Sequence, residues 1–235
     1  MSALRTLLLG LVGLLALGLL AIAPAAPATA ASPDPAAAAA PAPGKAKVTQ
    51  RLRALIRALP VHVERRKGYD RDRFRHWISQ GGGCDTRDVV LIQEAVVAPT
   101  VEPGCDLEGG RWTSYYDGAS TSNPSTFDID HMVPLAEAWD SGAHSWSDET
   151  RERYANDLAD RRTLVAVSAS SNRSKSDQDP REWLPAKRQC RYIREWAAVK
   201  TRWSLTVDRR EKRALRERAA RCRNVRVVVR MAAVG

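Results

Sequence analysis

Four cysteines set the first limit on what this chain can become: Cys84, Cys105, Cys190 and Cys222. No two of them form a C-x-x-C pair, which leaves a zinc site, the competing use, little to build on. An even count in an exported chain favours two disulfides. Cys84 and Cys105 bracket one apolar segment and are expected to pair. Residues 187–223 read as a helical hairpin turning near residue 206. That point is the midpoint of 190 and 222, so an antiparallel hairpin sets Cys190 opposite Cys222.

Export is read from the N-terminus. Arg5 precedes an apolar run over 7–23, followed by Ala28-Thr29-Ala30. A positive charge, an apolar core and an A-x-A site describe a secretory signal peptide over 1–30. An uncleaved membrane anchor is the alternative, since the run approaches the ~20 residues that span a bilayer. After cleavage the expectation is a secreted, extracellular protein with no membrane contact. Residues 31–45 are Ala/Pro-rich and read as a linker. One domain is expected over 46–235. The net charge of +10 suits a polyanion such as nucleic acid or an anionic surface polymer.

Val48, Leu52, Leu55, Ile56 and Leu59 recur at helical spacing and predict a helix over 45–59, stopped by Pro60. A second helix is expected to carry Phe74, Trp77 and Ile78 and to end at Gly81-Gly82-Gly83. Residues 89–95 fit helix or strand. Residues 111–116 and 126–131 read as strands, 135–139 as a short helix, and Ser147 as the N-cap of the next helix. The clearest buried strand is 163–167, which runs straight into a turn and helix start at 168–177. In the C-terminal hairpin, Ile193, Trp196, Ala197 and Trp203 form an apolar face with Lys200 as the exception. Asp208 and Glu211 begin the second helix as a capping-box-like pair. Residues 225–234 fit a strand or a frayed end.

The chemistry concentrates in 127–135 (Phe-Asp-Ile-Asp-His-Met-Val-Pro-Leu) and 171–177 (Ser-Asn-Arg-Ser-Lys-Ser-Asp). Phosphodiester hydrolysis needs a group that deprotonates water, charge to neutralise the phosphate, and support for the leaving group. Neutral histidine suits the first task, which nominates His131. A hard cation such as Mg²⁺ suits the other two and needs only one or two side-chain oxygens besides phosphate and water. Asp130 and Asn172 offer them. Arg173 and Lys175 stand where phosphate contacts are useful. Neighbours in a regular strand face opposite sides. Asp130 and His131 therefore share a site only if the chain bends between Asp130 and Pro134.

Asp130-His131-x-x-Pro134-Leu135, an apolar strand and then Asn172-Arg-Ser-Lys-Ser-Asp177 resemble the HNH endonucleases with a ββα-metal core. The likeness is greatest to the secreted actinobacterial type, with Cys-Asp-Thr-Arg at 84–87 and Asp-Pro-x-x-Trp-Leu-Pro at 179–185. The second piece is also similar to the HNH domain of the RNA-guided CRISPR enzymes. The resemblance covers roughly residues 69–223. It implies an α+β fold with a ββα core over about 111–186, framed by helices and the two disulfides. It implies His131 as general base, Asp130 and Asn172 as ligands of one Mg²⁺ or Mn²⁺, and DNA more than RNA as substrate. The chain departs from the pattern at the family's middle Asn, which braces a loop: Thr163 stands there. Cysteine zinc knuckles are absent too. A basic secreted nucleic-acid-binding protein with a decayed nuclease site is the competing reading.

Duller roles are assigned to the rest. Asp128 reads as a partner of the site residues or as a solvated strand residue. His62, His76 and His144 lack companions. Trp77, Trp112, Trp139, Trp183, Trp196 and Trp203 read as core, with Trp146 open. The arginines of 209–223 read first as the wet face of a helix, and nucleic-acid binding is a secondary use. Asn156-Asp157 are expected to end a helix and shape the loop after it.

Overall fold

In the computed structural model, which describes residues 46–234, an antiparallel pair joins strand β1 (Lys47–Arg51) to β10 (Arg226–Arg230), with Val48 opposite Val229. The expected signal peptide and linker lie outside the described residues. This pairing corrects the first predicted helix: only Leu52–Ala58 (α1) is helical, burying Leu52, Leu55 and Ile56. It also makes the C-terminal tail a strand.

The second predicted helix is absent. A single 3₁₀ turn at Arg71–Arg73, capped by Asp70, is followed by Trp77 at φ +59° and strand β2 (Ser79–Gly81). Long-range bonds override the local spacing. Asn156 Nδ2 donates to the Arg75 carbonyl (2.8 Å), and Asn156 Oδ1 accepts from the Ile78 amide (3.2 Å).

Strand β3 (Cys84–Asp85) leads into α2 (Thr86–Glu94), where Asp85 and Asp88 make a reciprocal capping box. The ambiguous 89–95 segment is thus helical through Glu94. The pairs β4 (Thr100–Val101) with β5 (Leu107–Glu108), and β6 (Trp112–Thr113) with β7 (Ser120–Thr121), are short. The strand expected over 111–116 shrinks to two residues because the chain turns after it, the Gly118 amide donating to the Ser114 carbonyl (2.8 Å). Thr86 and Arg87 account for the Cys-Asp-Thr-Arg segment. Thr86 Oγ1 donates to Asn156 Oδ1 (2.8 Å), while Arg87 Nη2 donates to the carbonyls of Pro124 (3.0 Å) and Phe127 (2.9 Å).

The centre is the antiparallel pair β8 (Phe127–His131) and β9 (Leu164–Ser168), with Asp130 opposite Val165. Between them run α3 (Leu135–Asp140) and α4 (Asp148–Ala155), the latter capped by Ser147 as expected. Helix α5 (Ala169–Lys175) follows β9 without a break. Both faces of the pair are covered. Phe127, Ile129, Leu164 and Ala166 pack with Val90, Leu91 and Trp112 on one side. Val165 and Val167 join the larger core of α1, α3 and the C-terminal helices on the other. Each fully buried large apolar side chain contributes about 1.5–3 kcal/mol.

Helices α6 (Gln189–Arg202) and α7 (Arg209–Ala220) form the expected hairpin. Both disulfides, Cys84–Cys105 and Cys190–Cys222, are as expected, with Cα separations of 5.0 and 5.6 Å. Lys200 is fully buried: its Nζ donates to Glu137 (2.5 Å) and Glu211 (3.2 Å). That explains the lysine in an apolar face. It also leaves the capping box half made, since Asp208 accepts from the Glu211 amide while the Glu211 carboxylate turns to Trp196 and Lys200. Trp146 packs on Tyr154 and Trp203.

Candidate functional site

A cleft of about 480 Å³ opens where β8 ends. Asp130, His131 and Pro134 border it from one side, Asn172, Arg173 and Asp177 from α5 and its end, and Tyr69 and Arg71 from the N-terminal segment. The two stretches nominated from the sequence therefore meet. The bend falls at Met132-Val133, directly after β8 and before Pro134, the N-cap of α3. Alternation still sends the neighbours to different partners: Asp130 to α5 and His131 to the end of α4.

His131 is 5 % exposed and lies between rings, with Trp77 at 5.5 Å and Tyr154 at 6.3 Å between centroids, both stacked. Its Nε2 is 2.9 Å from the Ala155 carbonyl. A carbonyl only accepts, so Nε2 carries the proton and Nδ1 presents a lone pair. Among the described residues Nδ1 makes no hydrogen bond. Burial depresses the imidazole to about 3, so the ring is neutral at ordinary pH.

Asp130, also 5 % exposed, accepts from Lys175 Nζ at Oδ1 (2.7 Å) and from the Tyr116 hydroxyl at Oδ2 (2.5 Å). Burial pushes its carboxyl up, against the pull of Lys175 and Tyr116; the same burial lowers the Lys175 ammonium. Each oxygen accepts one bond, so lone pairs remain for a cation. Asn172 Nδ2 donates to Asp128 Oδ2 (3.0 Å), which fixes the amide and leaves Oδ1 as its acceptor. Asp128 is thus a partner of the site. Two oxygen donors fit the modest demand of Mg²⁺.

Lys175 is a correction. It is fully buried, and its Nζ serves Asp130 and the His131 carbonyl (2.9 Å), so it reaches no phosphate. Arg173 is exposed and borders the cleft. Arg71 was missed: it borders the same cleft, 3.3 Å from His76 Nε2, and His76 lies 6.3 Å from His131. Nothing in their spacing announced them. Thr163 Oγ1 donates to Asp157 Oδ2 (2.9 Å) in the loop before β9, so a hydrogen-bonded brace exists there.

An antiparallel pair leading into a helix thus sets a histidine, a carboxylate and an amide around one cleft. Residues 105–218 match the family described as GmrSD restriction endonucleases, C-terminal domain, which supports a nuclease-family assignment. The chain belongs to one family with an uncharacterized secreted protein of Arthroderma benhamiae, 43% identical over 150 residues that cover 63% of this chain and 72% of that protein. No solved structure matches. Among the described residues no helix is long and apolar enough to cross a membrane.

Proposed function

We propose that the protein is a secreted HNH-type endonuclease that hydrolyses phosphodiester bonds of DNA. The observation that carries this reading is the convergence of the adjacent Asp130 and His131 with Asn172, some forty residues on, on one cleft. His131 Nδ1 takes the proton of a water in the cleft. Its depressed basicity is raised when a phosphate brings negative charge beside it. Asp130 and Asn172 hold Mg²⁺ or Mn²⁺; bound there, the cation offsets phosphate charge and stabilises the leaving oxygen. Arg173 and Arg71 supply phosphate contacts. Tyr116, Lys175 and Asp128 keep the ligands aimed. Export is supported by the signal-peptide pattern, the disulfides and a relative described as secreted.

The test is plasmid nicking with Mg²⁺ or Mn²⁺. Wild type nicks and His131→Ala loses at least about 100-fold, the lower range for a general base. Equal cleavage by both would remove His131 from the chemistry. One observation favours the decayed-site reading: both Asp130 oxygens already hold protein partners. That reading expects salt-sensitive DNA binding and no metal-dependent cleavage.

A further inference from the structure

Residues 209–223 hold eight Lys or Arg against two Glu, so this short segment carries six of the chain's ten net positive charges. The pairing inside it is one-sided. Glu211 faces inward to Trp196 and Lys200, and Lys212 Nζ donates to the carbonyls of Arg57 and Leu59. Outside, Glu217 is the only acid of the segment. Helical spacing puts Arg209, Arg213 and Arg216 on the side of α7 opposite buried Glu211 and Leu215, in a row about 10 Å long. Among the described residues none of these three guanidiniums makes a hydrogen bond or ion pair.

Arg57 of α1 extends the row. Arg57 and Arg216 face one small hollow between the helices, over Ile56 and Ala219, and no carboxylate lines it. The platform is fixed. Arg53 donates to the carbonyls of Ala219 (3.3 Å), Ala220 (3.0 Å) and Cys222 (3.2 Å), and Cys222 is tied to Cys190. Gathering like charges with one acid, Glu217, beside them costs energy that a polyanion recovers, and the guanidinium fork matches phosphate oxygens.

We propose that this arginine face of α7, with Arg57, binds the phosphodiester backbone of double-stranded DNA on a surface separate from the Asp130–His131–Asn172 cleft. The choice of DNA among polyanions rests on the nuclease reading above. The contacts are to backbone only, so binding is independent of sequence and steep in salt. The surface holds the polymer while the cleft cuts.

Binding is measured with full-length protein carrying His131→Ala, in EDTA, so that no cutting intrudes. The probe is a fluorescent 30-base-pair duplex, titrated from 50 to 300 mM NaCl. Relative to that parent, Arg209→Ala/Arg213→Ala/Arg216→Ala is expected to flatten the slope of log affinity on log salt by about 2–3, at ~0.9 per lost phosphate contact. The same variant with lysine at the three positions keeps most of the slope. Arg65→Ala/Arg226→Ala/Arg230→Ala removes equal charge elsewhere and changes the slope by less than about 1. Circular dichroism checks the fold; should the triple variant unfold, Arg213→Gln alone carries the test with a change of ~0.9. The proposal is overturned if slope and affinity stay unchanged, or if the control variant loses as much. It is equally overturned if only binding to phosphatidylglycerol vesicles suffers. Failure of wild type to nick plasmid sinks the nuclease reading but leaves this result standing.

Discussion

Lys175 Nζ sits 2.7 Å from Asp130 Oδ1 with the lysine fully buried, so a helix residue that looks like surface charge is the counter-ion of the strand carboxylate. The same ammonium donates to the His131 carbonyl and thereby ties α5 to the end of β8. Removing one partner of such a pair leaves an uncompensated buried charge, costing about 3–5 kcal/mol. Lys175→Met is expected to lose that much in urea denaturation. Lys175→Met/Asp130→Leu should recover most of it, because replacing the whole pair is far cheaper than halving it. A loss under ~1 kcal/mol in the single variant would mean that the pair is not ionised.

Asp128 reaches the metal ligands through Asn172, whose amide it holds at 3.0 Å, and its second neighbour in the cleft is the exposed Arg173 at 3.9 Å. If Asn172 ligates a cation, freeing its amide weakens the metal without disturbing the base. Outer partners of metal ligands are typically worth 10–100-fold in affinity. Asp128→Ala is therefore expected to raise the half-saturating Mg²⁺ concentration by ~10-fold or more, with the rate at saturation changed little. Asn172→Ala goes further and is only partly rescued by added metal. Identical Mg²⁺ titration curves for wild type and Asp128→Ala would break this link.

What the sequence disclosed, and what it hid, follow from how far away each partner lies. The alternation of 127–131, stopped before Pro134, is local and was readable, as was Asn172 at the head of a helix behind a buried strand. Strand β1 was hidden because its partner, β10, is nearly the whole chain away, and Val48 fits either period. The segment around Phe74 and Trp77 has helical spacing, but Asn156, the residue that ends α4, takes up its backbone groups at Arg75 and Ile78. Lys175 did leave a trace. It follows Asn172 at i+3, the same helix face, which turns toward β8. The absence of apolar neighbours made that face look wet.

His131 gives the protein an acid-side weakness with a defined sign. Its folded pKa is about 3 and the ordinary histidine value is 6.5. Between these the unfolded chain binds a proton that the native state refuses, so stability falls as pH drops from 6.5 toward 3. Glu64 and Glu94, raised to about 7 by burial, and Glu211, which burial also raises against the pull of Lys200, act oppositely: their stabilisation is present below about 4.5 and is lost as pH rises through the raised values. The histidine contribution is isolated by difference. The stability of wild type relative to His131→Asn is expected to shrink steadily from pH 7 to pH 5 in matched urea titrations. A constant difference across that range would show that His131 takes up its proton in the folded state.

Thr163 decides whether the loop before β9 is degraded or merely rebuilt. Its hydroxyl joins the Arg202 Nε (2.6 Å) and Trp203 Nε1 (3.0 Å) in donating to Asp157 Oδ2, while Arg202 Nη2 donates to Oδ1 (2.8 Å). The Thr163 carbonyl accepts from the Met132 amide (2.9 Å), directly after the catalytic candidate. Thr163→Val removes one hydrogen bond among several and should cost about 1–2 kcal/mol. Asp157→Asn breaks the buried pair with Arg202 and should cost more, about 3 kcal/mol. On the rebuilt view, Thr163→Asn, which installs the residue that the HNH resemblance calls for, leaves plasmid nicking within a few-fold of wild type. A tenfold or larger gain would instead identify threonine as the mark of a failing site, since one recovered hydrogen bond of ~1.4 kcal/mol is worth that factor.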